Sequence, residues 1–142
     1  PYSVWIVLSN DGGKTFTEPR RVGESWGRVA TAYLGDSYYI MTKQASFQSS
    51  EVTFEYRLLY SQNKGVSWNV ASISRDVEVY SSFPYEVASG LSVASDGTVD
   101  VVFYGRINAP ECISIPAPMS RQWTDKCDYN VYYTSSQDDG TN

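Results

Sequence analysis

Apolar and polar positions alternate along most of this chain, and no stretch shows a sustained helical period with end caps. Segments 3–8, 53–60 and 129–135 read as strands, rich in Val, Tyr, Thr, Phe and Leu. Between them lie two further pairs of β-prone runs, 28–34 with 38–43 and 86–94 with 98–104. Gly35-Asp36 divides the first pair and Asp96-Gly97 the second, and such dipeptides between β-rich runs predict hairpins.

A short motif follows each of the three isolated strands. Ser9-Asn10-Asp11-Gly12-Gly13-Lys14-Thr15-Phe16 reads S-x-D-x-G-x-T-F. Ser61-Gln62-Asn63-Lys64-Gly65-Val66-Ser67-Trp68 repeats it with Asn for Asp and Ser for Thr. Ser136, Asp138 and Gly140 begin a third copy, and the chain ends at Asn142 before an aromatic is reached. The first interval is about fifty residues, which is the length of a four-stranded repeat. The added length of the second interval falls around 75–82 and in the segment that carries the cysteines. Each unit thus holds an inner hairpin A–B, a strand C, the motif turn and a strand D, the arrangement of a β-propeller blade.

These turns are Asp boxes, or BNR repeats, and the chain resembles the sialidase superfamily and its Asp-box propeller relatives. The boxes specify fold far better than function, because enzymes, receptors and binding propellers share them. The fold expected is all-β, with four-stranded antiparallel blades. Residues 1–25 would be the end of one blade, 26–76 a complete blade and 83–142 most of a third. Reading C-D, A-B-C-D, A-B-C gives about two and a quarter blades of four strands. The resemblance implies six blades and roughly 300 residues at that repeat length. The chain is therefore read as an internal fragment of a longer propeller. It cannot close a ring alone, and head-to-tail assembly leaves one strand C in excess.

The box residues have a structural reading. The Asp11 carboxylate and Asn63 amide can accept backbone N–H groups of the turn, Gly13 and Gly65 suit a positive φ, and Phe16 and Trp68 can tuck between blades. One or two carboxylates per box are too few for a hard cation, so no metal and no cofactor are expected.

Chain topology puts the boxes and the Asp-Gly hairpins at one end of the blades. The opposite end, where the resemblance places a sialidase active site, should display Trp26, Arg28, Lys43, Gln44, Tyr85, Glu86 and Arg106. By resemblance, Glu86 would activate a tyrosine nucleophile, and Arg106 would belong to the arginine triad that clamps a sugar carboxylate through bidentate bonds. Arg28, Trp26 and Tyr85 would line the substrate site, the aromatics stacking on sugar faces. The structural alternatives are strand-end charges for Glu86 and Arg28, a loop salt bridge for Arg106, and blade-to-blade packing for Trp26 and Tyr85. The family's N-terminal arginine motif and later tyrosine are not seen in this chain.

Composition narrows the functional classes. The 142 residues (15.9 kDa) are 42% apolar, 19% charged and 15% aromatic, a globular composition. Net charge is −5 and pI about 4.6, which gives no footprint for nucleic acid. Histidine is absent, which removes His-based triads and the commonest metal ligand. No apolar run approaches the length of a membrane span. The chain begins at Pro1, with no signal peptide in view. Cys112 and Cys127 lack CxxC spacing, and the preferred reading is a disulfide closing their loop in a secreted or extracytoplasmic setting; the alternative is two unpaired thiols. The expected partners are carbohydrate, sialylated glycan by resemblance, and the remaining blades of the propeller. The alternative function is a non-catalytic extracellular propeller that binds glycan or protein.

Overall fold

The computed structural model describes residues 1–48, 51–73, 89–105 and 130–136. Among them there is no helix, and nine strands form three antiparallel sheets. Sheet I pairs β1 (Tyr2–Ile6) with β2 (Arg20–Ser25). Sheet II has the order β3 (Ala30–Leu34), β4 (Ser37–Gln48), β5 (Glu51–Ser61), β6 (Asn69–Ser72). Sheet III has the order β7 (Gly90–Val93), β8 (Val99–Gly105), β9 (Asn130–Ser136). All neighbours in each sheet are consecutive in sequence.

The sheets stack face to face in chain order. Strand alternation puts Tyr39 and Met41 of β4 on one face of sheet II with Tyr56 and Leu58 of β5. This face meets Val99, Val101 and Phe103 of β8, and the seven side chains form the buried core. The rings of Tyr56 and Phe103 lie 5.3 Å apart, centroid to centroid. Burial of side chains of this size contributes about 1.5–3 kcal/mol each, which makes the junction of sheets II and III the main source of cohesion.

Sheet I covers the other face of sheet II. A Cβ added to Gly23 of β2 would stand 2.9 Å from Leu59 Cδ1, so the missing side chain is what allows this close approach. Ser25, at the end of β2, is 1% exposed; its Oγ accepts the Lys43 N–H at 3.1 Å, and the Trp26 N–H donates to the Lys43 carbonyl at 2.7 Å. The Arg20 guanidinium reaches the Val66 carbonyl at 3.2 Å.

One strand pair runs further than the apolar pattern predicts. Segments 38–43 and 53–60 read as strands separated by a loop, yet β4 and β5 pair continuously from Tyr38–Ser61 out to Gln48–Glu51. Gln44, Ser46 and Gln48 alternate there with Ala45 and Phe47, a weak strand signal, and their backbone groups pair as those in the inner part of the hairpin do.

Candidate functional site

The two complete box turns use the same hydrogen-bond scheme. In the first, Ser9 Oγ donates to Asp11 Oδ1 at 2.8 Å and accepts the Gly13 N–H at 2.8 Å. Asp11 Oδ1 also accepts the N–H groups of Lys14 (3.0 Å) and Thr15 (2.9 Å), and Oδ2 accepts the Thr15 hydroxyl at 2.6 Å. In the second, Ser61 Oγ donates to Asn63 Oδ1 at 3.0 Å and accepts the Gly65 N–H at 2.8 Å, while Asn63 Oδ1 accepts the Ser67 N–H at 2.9 Å. Gly13 and Gly65 hold φ of 86° and 74°, the region that disfavours side chains.

This bonding explains the electrostatics of Asp11. The Thr15 hydroxyl, then the Thr15 N–H and the Ser9 hydroxyl, all stabilise the ionised carboxylate and lower its pKa to about 2. The Thr98 N–H donates to Asp96 Oδ1 at 2.9 Å in the β7–β8 turn and lowers that pKa too. The side-chain polar atoms of Ser9, Asp11 and Thr15, and of Ser61, Asn63 and Ser67, are thus engaged in forming their own turns, which is a structural role. Among the described residues, no group of three or more His, Cys, Asp or Glu side chains gathers to hold a metal.

The aromatic that closes each box differs. Trp68 is half-buried, and its Nε1–H donates to the Gly65 carbonyl at 3.1 Å. Phe16, expected to tuck between blades, is instead 62% exposed. The second box lies against sheet I, where Ile6 approaches Gly65. Ser136 ends β9 and pairs with Val99, just as Ser61 pairs with Tyr38; Asp138 and Gly140 lie outside the described residues.

The box and hairpin turns do share one end of sheet II. The Lys64 N–H donates to the Asp36 carbonyl at 2.8 Å, and Lys64 Nζ pairs with the Asp36 carboxylate at 3.4 Å. The far end of β4–β5 carries a different set of side chains. Trp26, 40% exposed, meets Phe54 edge to face at 6.4 Å, and Lys43 Nζ lies 4.4 Å from the centre of the same ring. An ammonium over a ring face contributes about 0.5–1 kcal/mol at exposed sites. Gln44 donates to the Glu24 carbonyl, Glu24 pairs with Arg21, and Glu55 pairs with Arg57. Arg28 is exposed on the short link between β2 and β3.

Of the residues expected at this end, Trp26, Lys43 and Gln44 converge around the β2–β4 junction, and Arg28 lies beside it in sequence. Tyr85, Glu86 and Arg106 lie outside the described residues, as do Cys112 and Cys127. Phe54, which joins Trp26 to Lys43, is not among the residues the sequence singles out. It lies within the strand read over 53–60, in alternation with Tyr56 and Leu58, but the sequence does not mark it as the residue that meets Trp26 and Lys43.

The chain matches no protein-family model, no curated protein and no solved structure. Among the described residues, no helix is long and apolar enough to cross a membrane.

Proposed function

We propose that this chain is part of a sialidase-like Asp-box β-propeller, extracytoplasmic in setting, whose end opposite the boxes engages an acidic glycan. The single observation that carries the reading is the duplicated turn: Ser9-Asp11-Thr15 and Ser61-Asn63-Ser67 bond alike, each directly after a strand of a stacked antiparallel sheet. This supports the blade architecture, and the resemblance supplies the chemistry. In this reading Arg106 and Arg28 bind the sugar carboxylate, Trp26 and Tyr85 face the ring, and Glu86 activates a tyrosine supplied by another blade. The box end is left as scaffold.

The second reading is a binding propeller without turnover. It is favoured by the anchoring of Trp26, whose backbone N–H is tied to the Lys43 carbonyl and whose ring meets Phe54 edge to face. A half-exposed indole held in this way suits stacking on a sugar face and needs no acid or base.

One experiment separates the readings. Titration of the chain with N-acetylneuraminate and with neutral hexoses, followed by tryptophan fluorescence, should show preference for the acidic sugar. Turnover of a fluorogenic sialoside is expected only from a protein carrying the whole ring, and there Glu86→Gln should abolish it while glycan binding persists. Binding without turnover in that longer protein selects the second reading, and equal indifference to acidic and neutral sugars sinks both.

A further inference from the structure

The backbone that carries Trp26 is fixed to the backbone that carries Lys43. Ser25, 1% exposed, accepts the Lys43 N–H at 3.1 Å and the Gly27 N–H at 3.3 Å on its Oγ, and the Trp26 N–H donates to the Lys43 carbonyl at 2.7 Å. β3 begins at Ala30, opposite Met41. Past that point β4 has the Ser25–Gly27 segment as its neighbour in place of a strand.

Register decides which face the side chains share. Lys43 opposes Tyr56 and Ala45 opposes Phe54, two and four residues past the Met41–Leu58 pair. Alternation therefore puts Lys43 and Phe54 on the face of sheet II that meets sheet III. Phe54 packs against the core there, and its ring receives the edge of Trp26 and lies under the Lys43 ammonium, 4.4 Å from its centre. Arg57 falls on the opposite face and pairs with Glu55. Burial fades along the shared face: Met41 and Tyr56 are buried, Lys43 and Phe54 half-buried, and Trp26 exposed. The cluster thus stands at the mouth of the core between sheets II and III.

Chemistry then defines the ligand. An aromatic face stabilises an ammonium without cancelling its charge. The indole beside it offers a flat surface for a sugar ring. The chain carries a net charge of −5, so an anionic ligand is drawn to this end by a local cation and not by the overall field. An ammonium is a compact point charge with three rotatable donors, whereas a guanidinium is a planar fork matched to a carboxylate. The first answers to negative charge and is indifferent to the shape of the anion.

We propose that Lys43 selects the ligand of this end by charge alone, so that the Trp26 face takes a sugar carrying a sulfate as readily as one carrying a carboxylate. The inference rests on the glycan-binding reading of this end, and adds the class of sugar and the residue that reads it.

Calorimetric titration of the chain with galactose, galacturonate and galactose 6-sulfate tests it on one ring bearing no charge, a carboxylate or a sulfate. Both anionic sugars should bind roughly tenfold or more tighter than galactose, and within about threefold of each other. Lys43→Met keeps the length of the stem and loses the charge, and should bring both down to the level of galactose. Lys43→Arg should keep a preference for both. In the parent chain, which needs no substitution, added salt should weaken the two anions alike and leave galactose unchanged. A preference for galacturonate over the sulfate assigns recognition to an arginine fork and overturns the inference while the acidic-glycan reading stands. A preference for both anions that survives Lys43→Met overturns the role of Lys43 and leaves that reading intact. Equal affinity for all three sugars overturns the inference and the acidic-glycan reading together.

Discussion

The Thr15 hydroxyl donates to Asp11 Oδ2 at 2.6 Å, and at the equivalent place in the second turn the direction is reversed: Asn63 Nδ2 donates to the Ser67 hydroxyl at 2.8 Å. The backbone N–H of Ser67 can only donate, so it fixes the amide oxygen of Asn63 inward and leaves the amide nitrogen facing the hydroxyl. A hydroxyl that can both donate and accept allows the turn to tolerate either residue. Only the aspartate version has a charge.

That difference predicts a pH dependence confined to the first box. The folded-state pKa of Asp11 is depressed to about 2, against 3.8 for the free side chain, so folding favours the ionised form. The stabilisation is complete above about pH 4 and is lost as pH falls through about 2. The melting temperature of Asp11→Asn should therefore lie below that of the parent at pH 7, and the gap should close between pH 4 and pH 2. The gap between the parent and Asn63→Ala should stay constant over the same range. Asp96 also has a lowered pKa, but it is present in all three proteins and cancels in the comparison.

Burial distinguishes the two box serines although their bonds match. Ser61 is 0% exposed and bonds the N–H of buried Gly65. Ser61→Ala leaves that donor without a partner away from water and should cost about 1–3 kcal/mol. Ser9 makes the same bond to Gly13 at the surface, where water replaces it. Ser9→Ala should cost less than about 1 kcal/mol. Urea unfolding of both variants checks the order, and equal losses would show that burial of the second turn is unimportant.

Lys64 holds φ at 55°, the position that Gly12 takes in the first box at 71°. A side chain in this region costs roughly 1–2 kcal/mol. The Asp36 ion pair offsets little of this, because both side chains are largely exposed. Glycine gives back part of the gain through its greater freedom when unfolded, roughly 0.5–1 kcal/mol. Lys64→Gly should thus stabilise the chain by about 0.5–1 kcal/mol. Unfolding at unchanged or lower denaturant concentration would mean that the ion pair contributes more than an exposed pair does.

Strand order was legible in the sequence because two signals agree wherever it succeeds. Gly35-Asp36 and Asp96-Gly97 mark the inner hairpins, and the box serines mark where the outer strands end. The length of β4–β5 was less legible than its existence: the outer half keeps the alternation, with Ala45 and Phe47 opposite Phe54 and Val52, but the small and polar residues Gln44, Ala45, Ser46 and Gln48 make that signal weak. The exposure of Phe16 was equally hidden. The box motif fixes its turn, but whether its aromatic is covered depends on a neighbouring sheet that the motif does not encode. At the candidate site, Trp26 and Lys43 were found by counting strands. Phe54 lies within the strand read over 53–60, but nothing in the sequence marks it as the residue of that strand that meets Trp26 and Lys43.

The last prediction separates the two ends of the sheets. Asp11 binds only groups of its own turn, so Asp11→Ala should lower the melting temperature and leave glycan affinity unchanged. Arg28 is exposed at the other end, next to the Trp26–Phe54 contact, and Arg28→Ala should lower glycan affinity. Losing one charge-assisted contact to a sugar carboxylate removes about 1.5–3 kcal/mol, or roughly ten- to hundredfold in affinity. In a protein carrying the whole ring, Arg106→Ala should behave as Arg28→Ala does. Calorimetric titration with N-acetylneuraminate, paired with thermal melts, reads both quantities on each variant. Loss of binding in Asp11→Ala at an unchanged melting temperature would make the box end the functional one. A lowered melting temperature in Arg28→Ala with affinity intact would make that arginine a partner in folding, and the acidic-glycan reading would lose a contact at this end that the described residues supply.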